Sequence, residues 1–133
     1  MTEKELNSVR DLNKQIRDLE NHLTTMRKRA EDITQTLDGM PHATTIQSKV
    51  ENLALKIVEG GKELEILHQQ IISATARLTE KICREVTEPQ ERTVVILRYV
   101  SCMHFRDIGF QLGKSDATIF RIHHDALTKL IVQ

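Results

Sequence analysis

Val9-Arg10-Asp11-Leu12-Asn13-Lys14-Gln15-Ile16-Arg17-Asp18-Leu19-Glu20-Asn21-His22-Leu23 places apolar residues at alternating steps of three and four, and the pattern continues through Met26, Ala30, Ile33 and Leu37. A repeat of about 3.5 residues turns one narrow stripe of a helix toward a partner helix. Upstream, Thr2 and Glu5 have the spacing of a capping box for the start of this helix. Downstream, Asp38-Gly39-Met40-Pro41 ends it, because Gly39 suits a left-handed cap and Pro41 disfavours helix at Met40.

A second seam begins after Thr44 and Gln47, which suggest another capping box. It runs through Val50, Leu53, Ile57, Gly60, Leu64, Leu67, Ile71, Ala74 and Leu78, drifting to Ile82 and Val86. So short a connection predicts an antiparallel helical hairpin over residues 1–87, coiled-coil-like in its packing. Gly60-Gly61 falls inside the second helix and leaves a kink, a close helix crossing or a break open. A lone two-helix unit leaves apolar surface wet, so the hairpin is expected to self-associate as a homo-oligomer.

Composition agrees with an all-α fold. The 133 residues include five Gly and two Pro, too few for the turns of an all-β protein. The four aromatics, Tyr99, Phe105, Phe110 and Phe120, all lie in the last third, so residues 1–98 pack on aliphatics. Formal charge is zero, and residues 88–133 carry six basic and five acidic side chains, which gives little nonspecific attraction to nucleic acid. The longest apolar run is Val94–Leu97, far short of the ~20 residues of a membrane span, and Met1–Glu5 has no signal-peptide character. No membrane partner and a cytoplasmic location are expected. Cys83 and Cys102 lack the spacing of a zinc site or the density of a disulfide framework, and are read as reduced.

Thr87-Glu88-Pro89-Gln90 closes the second helix and opens a third, with Thr87 or Glu88 as N-cap and Pro89 in its first turn. From there the pattern is helix (89–100), helix (105–112), Gly113-Lys114-Ser115, helix (116–131). This is the layout of a helix-turn-helix over residues 88–133: Ile108 and Leu112 share one face, Gly113 makes the turn, Ser115 caps the next helix, and Ile119 and Ile122 anchor it. Lys114, Ser115, Asp116, Ala117, Thr118, Phe120, Arg121 and His124 are the candidate DNA-binding residues, where a major groove would be read. An ordinary helical hairpin with a Gly turn is the competing reading.

Leu97-Arg98-Tyr99-Val100, Ile108 through Ser115, Thr118-Ile119 and Ala126-Leu127 to Leu130 resemble region four of bacterial sigma factors over residues 88–131. The whole chain, with its heptad hairpin and Asp38-Gly39-Met40-Pro41-His42 linker, resembles a small family of regulators encoded by phages and prophages of Gram-positive bacteria. The resemblance implies a sequence-specific, double-stranded-DNA-binding transcriptional regulator of phage or prophage genes in a bacterial host. Asp116, Ala117 and Phe120 stand where region four usually carries basic and amide side chains, and Asp107-Ile108-Gly109 stands for the usual Glu-Ile-Ala. Gly109 weakens the helix and admits close packing. Residues 1–98 lack the aromatics that promoter opening needs.

Enzymatic signals fail. Gly109 to Ser115 is one residue short of a phosphate-binding loop and no strand precedes it. Adjacent His123 and His124 point about 100° apart on a helix, so with Cys102 and His104 they make no metal set and read as a solvated or phosphate-facing pair. Glu63 with Glu65, and Asp18 with Glu20, are solvating charges. No catalytic residue, metal or cofactor is expected. A rival reading is a helical interaction protein that does not bind DNA and engages RNA polymerase or another protein through its C-terminal unit.

Overall fold

The computed structural model describes residues 1–35 and 43–131, with side chains from residue 47 onward in the second stretch. Leu37 and the 38–41 linker therefore lie outside the described residues, as does the Thr44 side chain of the Thr44–Gln47 capping box. Within them the regular elements are helices: α1 Glu3–Leu6, α2 Ser8–Gln35, α3 Ala43–Glu85, α4 Pro89–Val95, a π-helical turn Ile96–Val100, α5 Phe105–Leu112 and α6 Asp116–Leu130. The fold is all-α, with an antiparallel hairpin followed by a helix-turn-helix. The chain divides into two compact units, residues 14–69 and residues 1–13 with 70–133.

In the unit 14–69, α2 and α3 pack side by side in opposite directions. Leu23 meets α3 at Gly60, and Glu20, earlier in α2, lies 3.6 Å from His68, later in α3. Ile16, Leu23 and Met26 are buried, whereas the opposing Val50, Leu53, Ile57, Leu64 and Leu67 are only half-buried. The pair Gly60-Gly61 does not break α3. A Cβ on Gly60 would stand 2.5 Å from Leu23 Cδ2, so this glycine serves a close crossing, while one on Gly61 would meet open space.

In the other unit the Thr2–Glu5 capping box forms as expected, with Thr2 Oγ1 accepting from Glu5 N–H at 3.1 Å. The backbone N–H of Thr2 and then the ammonium of Lys81, 3.3 Å away, hold the Glu5 carboxyl below the usual carboxylate range. Glu88 is the N-cap of α4, accepting from Glu91 N–H at 2.7 Å, with Pro89 in the first turn. Arg92 Nε donates to Val86 C=O at 2.9 Å and Nη2 to Cys83 C=O at 3.2 Å, satisfying carbonyls where α3 ends. Glu91, the buried carboxylate among the described residues, receives its two short contacts from Lys129 of α6, at 2.8 and 3.0 Å, as a buried charge requires.

Two apolar clusters lie on either side of α4 and the π turn. Val94 is fully buried among Ile108, Ile119 and Ile122, with Leu97, Met103, Phe105 and Leu112 against them. Val95 next to it is fully buried in the other direction, with Leu6, Val9, Ala74, Leu78, Ile82, Val86, Tyr99, Ala126 and Leu130. Successive helix positions diverge by about 100°, so one helix serves both clusters. The second cluster crosses the expected boundary at residue 87: α4–α6 alone cannot cover Val95, Tyr99, Ala126 and Leu130, and the ends of the hairpin helices cover them.

Candidate nucleic-acid interface

The turn of the helix-turn-helix is set by two glycines with different tasks. Gly113 adopts φ 66° and ψ 36°, a left-handed cap that ends α5, which side chains with a Cβ adopt at a cost. Gly109, fully inside α5, lets the turn close: Lys114 N–H donates to Gly109 C=O at 2.9 Å, and a Cβ there would stand 2.8 Å from Lys114 C=O. Ser115 then caps α6, its Oγ accepting from Thr118 N–H at 3.3 Å and lying 2.9 Å from Thr118 Oγ1. Ile119 and Ile122 are buried against Ile108, as their spacing predicts.

That anchoring turns the other side of α6 outward. Ser115, Asp116, Ala117, Phe120, Arg121 and His124 are exposed, and Lys114 and Thr118 are partly so. All eight candidates therefore sit at the turn or on the first three turns of α6. They are not equally free. The hydroxyls of Ser115 and Thr118 are engaged with each other and with the cap, and the Phe120 ring, 51% exposed, lies 4.9 Å from that of Phe105.

His123 departs from the expectation of a solvated pair. Its ring is half-buried, 2.7 Å by Nε2 from the Tyr99 hydroxyl, stacked on that phenol and edge-on to Phe105. Burial, and then the nearby charge of Arg98 and the neighbouring His124, push its pKa below the ordinary histidine value, and burial raises that of Tyr99. The contact is thus between a protonated phenol and a neutral imidazole near neutral pH. Only His124 is exposed.

The π turn explains how Tyr99 reaches this place. Ser101 N–H bonds Ile96 C=O at 3.0 Å, one residue further along than an α-helix allows, and the chain continues through Cys102 at φ 58°. Arg98 stacks its guanidinium 4.2 Å over Phe105 and donates to Met103 C=O at 3.0 Å. The other cations of residues 88–131 are likewise committed, apart from three: Arg92 bonds carbonyls and Lys129 bonds Glu91.

Arg106, Lys114 and Arg121 are left, without an ion pair or side-chain hydrogen bond among the described residues. Sequence reasoning missed Arg106. It lies in the first turn of α5 and lines a shallow depression with Phe110, Lys114, Ser115 and Asp116. Phe110 in the same place is 92% exposed. Both sit on the α5 positions opposite Ile108 and Leu112, a signal available in the sequence. Among the described residues there is no cluster of side chains suited to a metal ion, and no helix is long and apolar enough to cross a membrane.

The family model of sigma-70 region 4 matches residues 88–130. That region is a DNA-binding helix-turn-helix domain, which in sigma factors also binds RNA polymerase, and the match begins at the N-cap of α4 and ends with α6. No curated protein and no solved structure matches the chain.

Proposed function

We propose that this protein is a noncatalytic, sequence-specific DNA-binding transcriptional regulator of phage or prophage genes, acting in the bacterial cytoplasm as an assembly built through its helical hairpin. The observation that carries the reading is the α5–turn–α6 geometry, with an outward, Ser115-capped face on α6, in the segment similar to sigma-70 region 4. The likeness of the whole chain to small phage-encoded regulators supports the choice of target genes.

Three uncommitted cations set the strength of the contact. Arg106, Lys114 and Arg121 neutralise at most three phosphates per copy, so affinity should fall with a log–log salt slope of about −3 or shallower per copy. One copy alone binds near the nonspecific range, and two linked copies gain ~10²–10⁴ in avidity. On the base edges, Arg121 suits guanine, and Ala117 and Phe120 suit thymine methyl groups.

The test is enrichment of bound fragments from host and prophage DNA, followed by anisotropy on the selected duplex. A repeated motif is expected, with Arg121→Ala costing ~1–3 kcal/mol on it and Lys114→Ala weakening selected and random duplexes alike. Binding unchanged in both variants, or no enrichment at low salt, overturns the reading. A second reading, docking to RNA polymerase, is favoured by the exposed Phe110 and the near-neutral charge, and predicts polymerase binding lost in Phe110→Ala.

A further inference from the structure

The helix α3 carries a second apolar strip besides the one that faces α2. Leu55, Val58 and Ile66 are 58%, 54% and 56% exposed. With Lys62 between them they follow steps of three, four and four, which places them on one side of the helix. Gly60 and Leu64 lie on the other side, where Gly60 meets Leu23. Solvated single apolar residues are ordinary, but three in register along one strip make a face that other chains can cover.

The charges on and beside this strip name the occupant. Glu59, Lys62 and Glu65 alternate in sign at steps of three, and none of them is in an ion pair among the described residues. Such an order is unchanged when the strip is reversed about Lys62. Laid antiparallel on a second copy about that point, Val58 falls opposite Ile66 and Ile66 opposite Val58, while Leu55 falls opposite Gln69. The two Lys62 ammonium groups are then held among four carboxylates, from Glu59 and Glu65 of both copies. A two-fold contact needs this self-complementarity, in which residue i meets j and j meets i. The same carboxylates disfavour DNA and anionic lipid on this strip.

We propose that the outward face of α3 centred on Lys62 is an isologous, antiparallel interface between two copies of this chain. The inference rests on the assembly reading above and specifies its surface: the α2–α3 seam is internal to each hairpin, and copies meet back to back along α3.

The experiment uses the full chain. In a Cys83→Ser background, Lys62→Cys is expected to oxidise to a symmetric cross-linked dimer, while Asn21→Cys on the outward side of α2 is not. In sedimentation, Lys62→Glu places like charges together and should weaken the dimer at least ~10-fold, and Glu59→Lys with Glu65→Lys should restore it. All these positions are exposed, so unchanged helical circular dichroism confirms that the variants fold. A dimer indifferent to Lys62→Glu, or cross-linking equal at 62 and 21, overturns the interface while leaving assembly elsewhere intact. A wild-type monomer overturns it outright, as does a lipid or other protein found on the strip in its place. DNA anisotropy on the same samples tests the regulator reading separately.

Discussion

The unit 14–69 and the unit formed by residues 1–13 with 70–133 are both helical, yet they hold their helices in different ways. In the first, Ile16, Leu23 and Met26 of the α2 stripe are buried against an α3 whose facing residues remain half-buried. In the second, Val94, Val95, Ile108 and Ile119 are fully buried, a glycine admits a backbone carbonyl, and the buried carboxylate of Glu91 has its ammonium partner. Helices that must present a surface at a fixed angle are held by interlocking contacts, and helices that must only run together are held by a stripe.

The largest expected effect tests whether the second unit is one piece. Residues 88–133 expressed alone lose Leu6, Val9, Ala74, Leu78, Ile82 and Val86 from their cluster, and are expected to give the circular dichroism of a largely unfolded chain. A cooperative thermal transition in that fragment would break the comparison. Next, Ile119→Ala in the interlocked unit should cost about 2–5 kcal/mol in denaturant titrations, the range for a buried Ile, whereas Leu64→Ala on half-buried α3 should cost less than half of that. Equal costs would show that the two units are packed alike.

Glycines sharpen the contrast at smaller scale. Gly109→Ala forces a Cβ against Lys114 C=O and should destabilise by about 1–3 kcal/mol. In Gly61→Ala the Cβ meets open space, and the substitution should stabilise by about 0.5–1 kcal/mol through the entropy of the unfolded chain. Thermal melts read both, and a stabilising Gly109→Ala would remove the close approach from the account of the turn.

Much of this organisation was legible in the sequence because it depends on local rules. The seam positions Val9, Ile16 and Leu23, the caps Thr2, Glu88 and Ser115, and the turn at Gly113 all follow from periodicity or from chemistry within four residues. What sequence reasoning missed depends on residues far apart. His123 reads as solvated until Tyr99 arrives from the π turn, and that turn leaves no composition signal of its own. Arg106 differs, because its outward place opposite Ile108 and Leu112 is legible in the sequence, and the structure adds that Arg92, Arg98 and Lys129 are occupied. For the glycine pair the sequence leaves a kink, a close crossing or a break open, and only the structure separates Gly60, which has a close neighbour, from Gly61, whose added Cβ would meet open space.

The contact between Tyr99 and His123 has an optical consequence. The protein holds one tyrosine and no tryptophan, so its intrinsic emission comes from a single ring, hydrogen-bonded to a residue of α6. The seating of that helix is therefore readable in an unlabelled solution, without a dye or a substitution. Any ligand that tilts α6 against the π turn changes the brightness of one phenol.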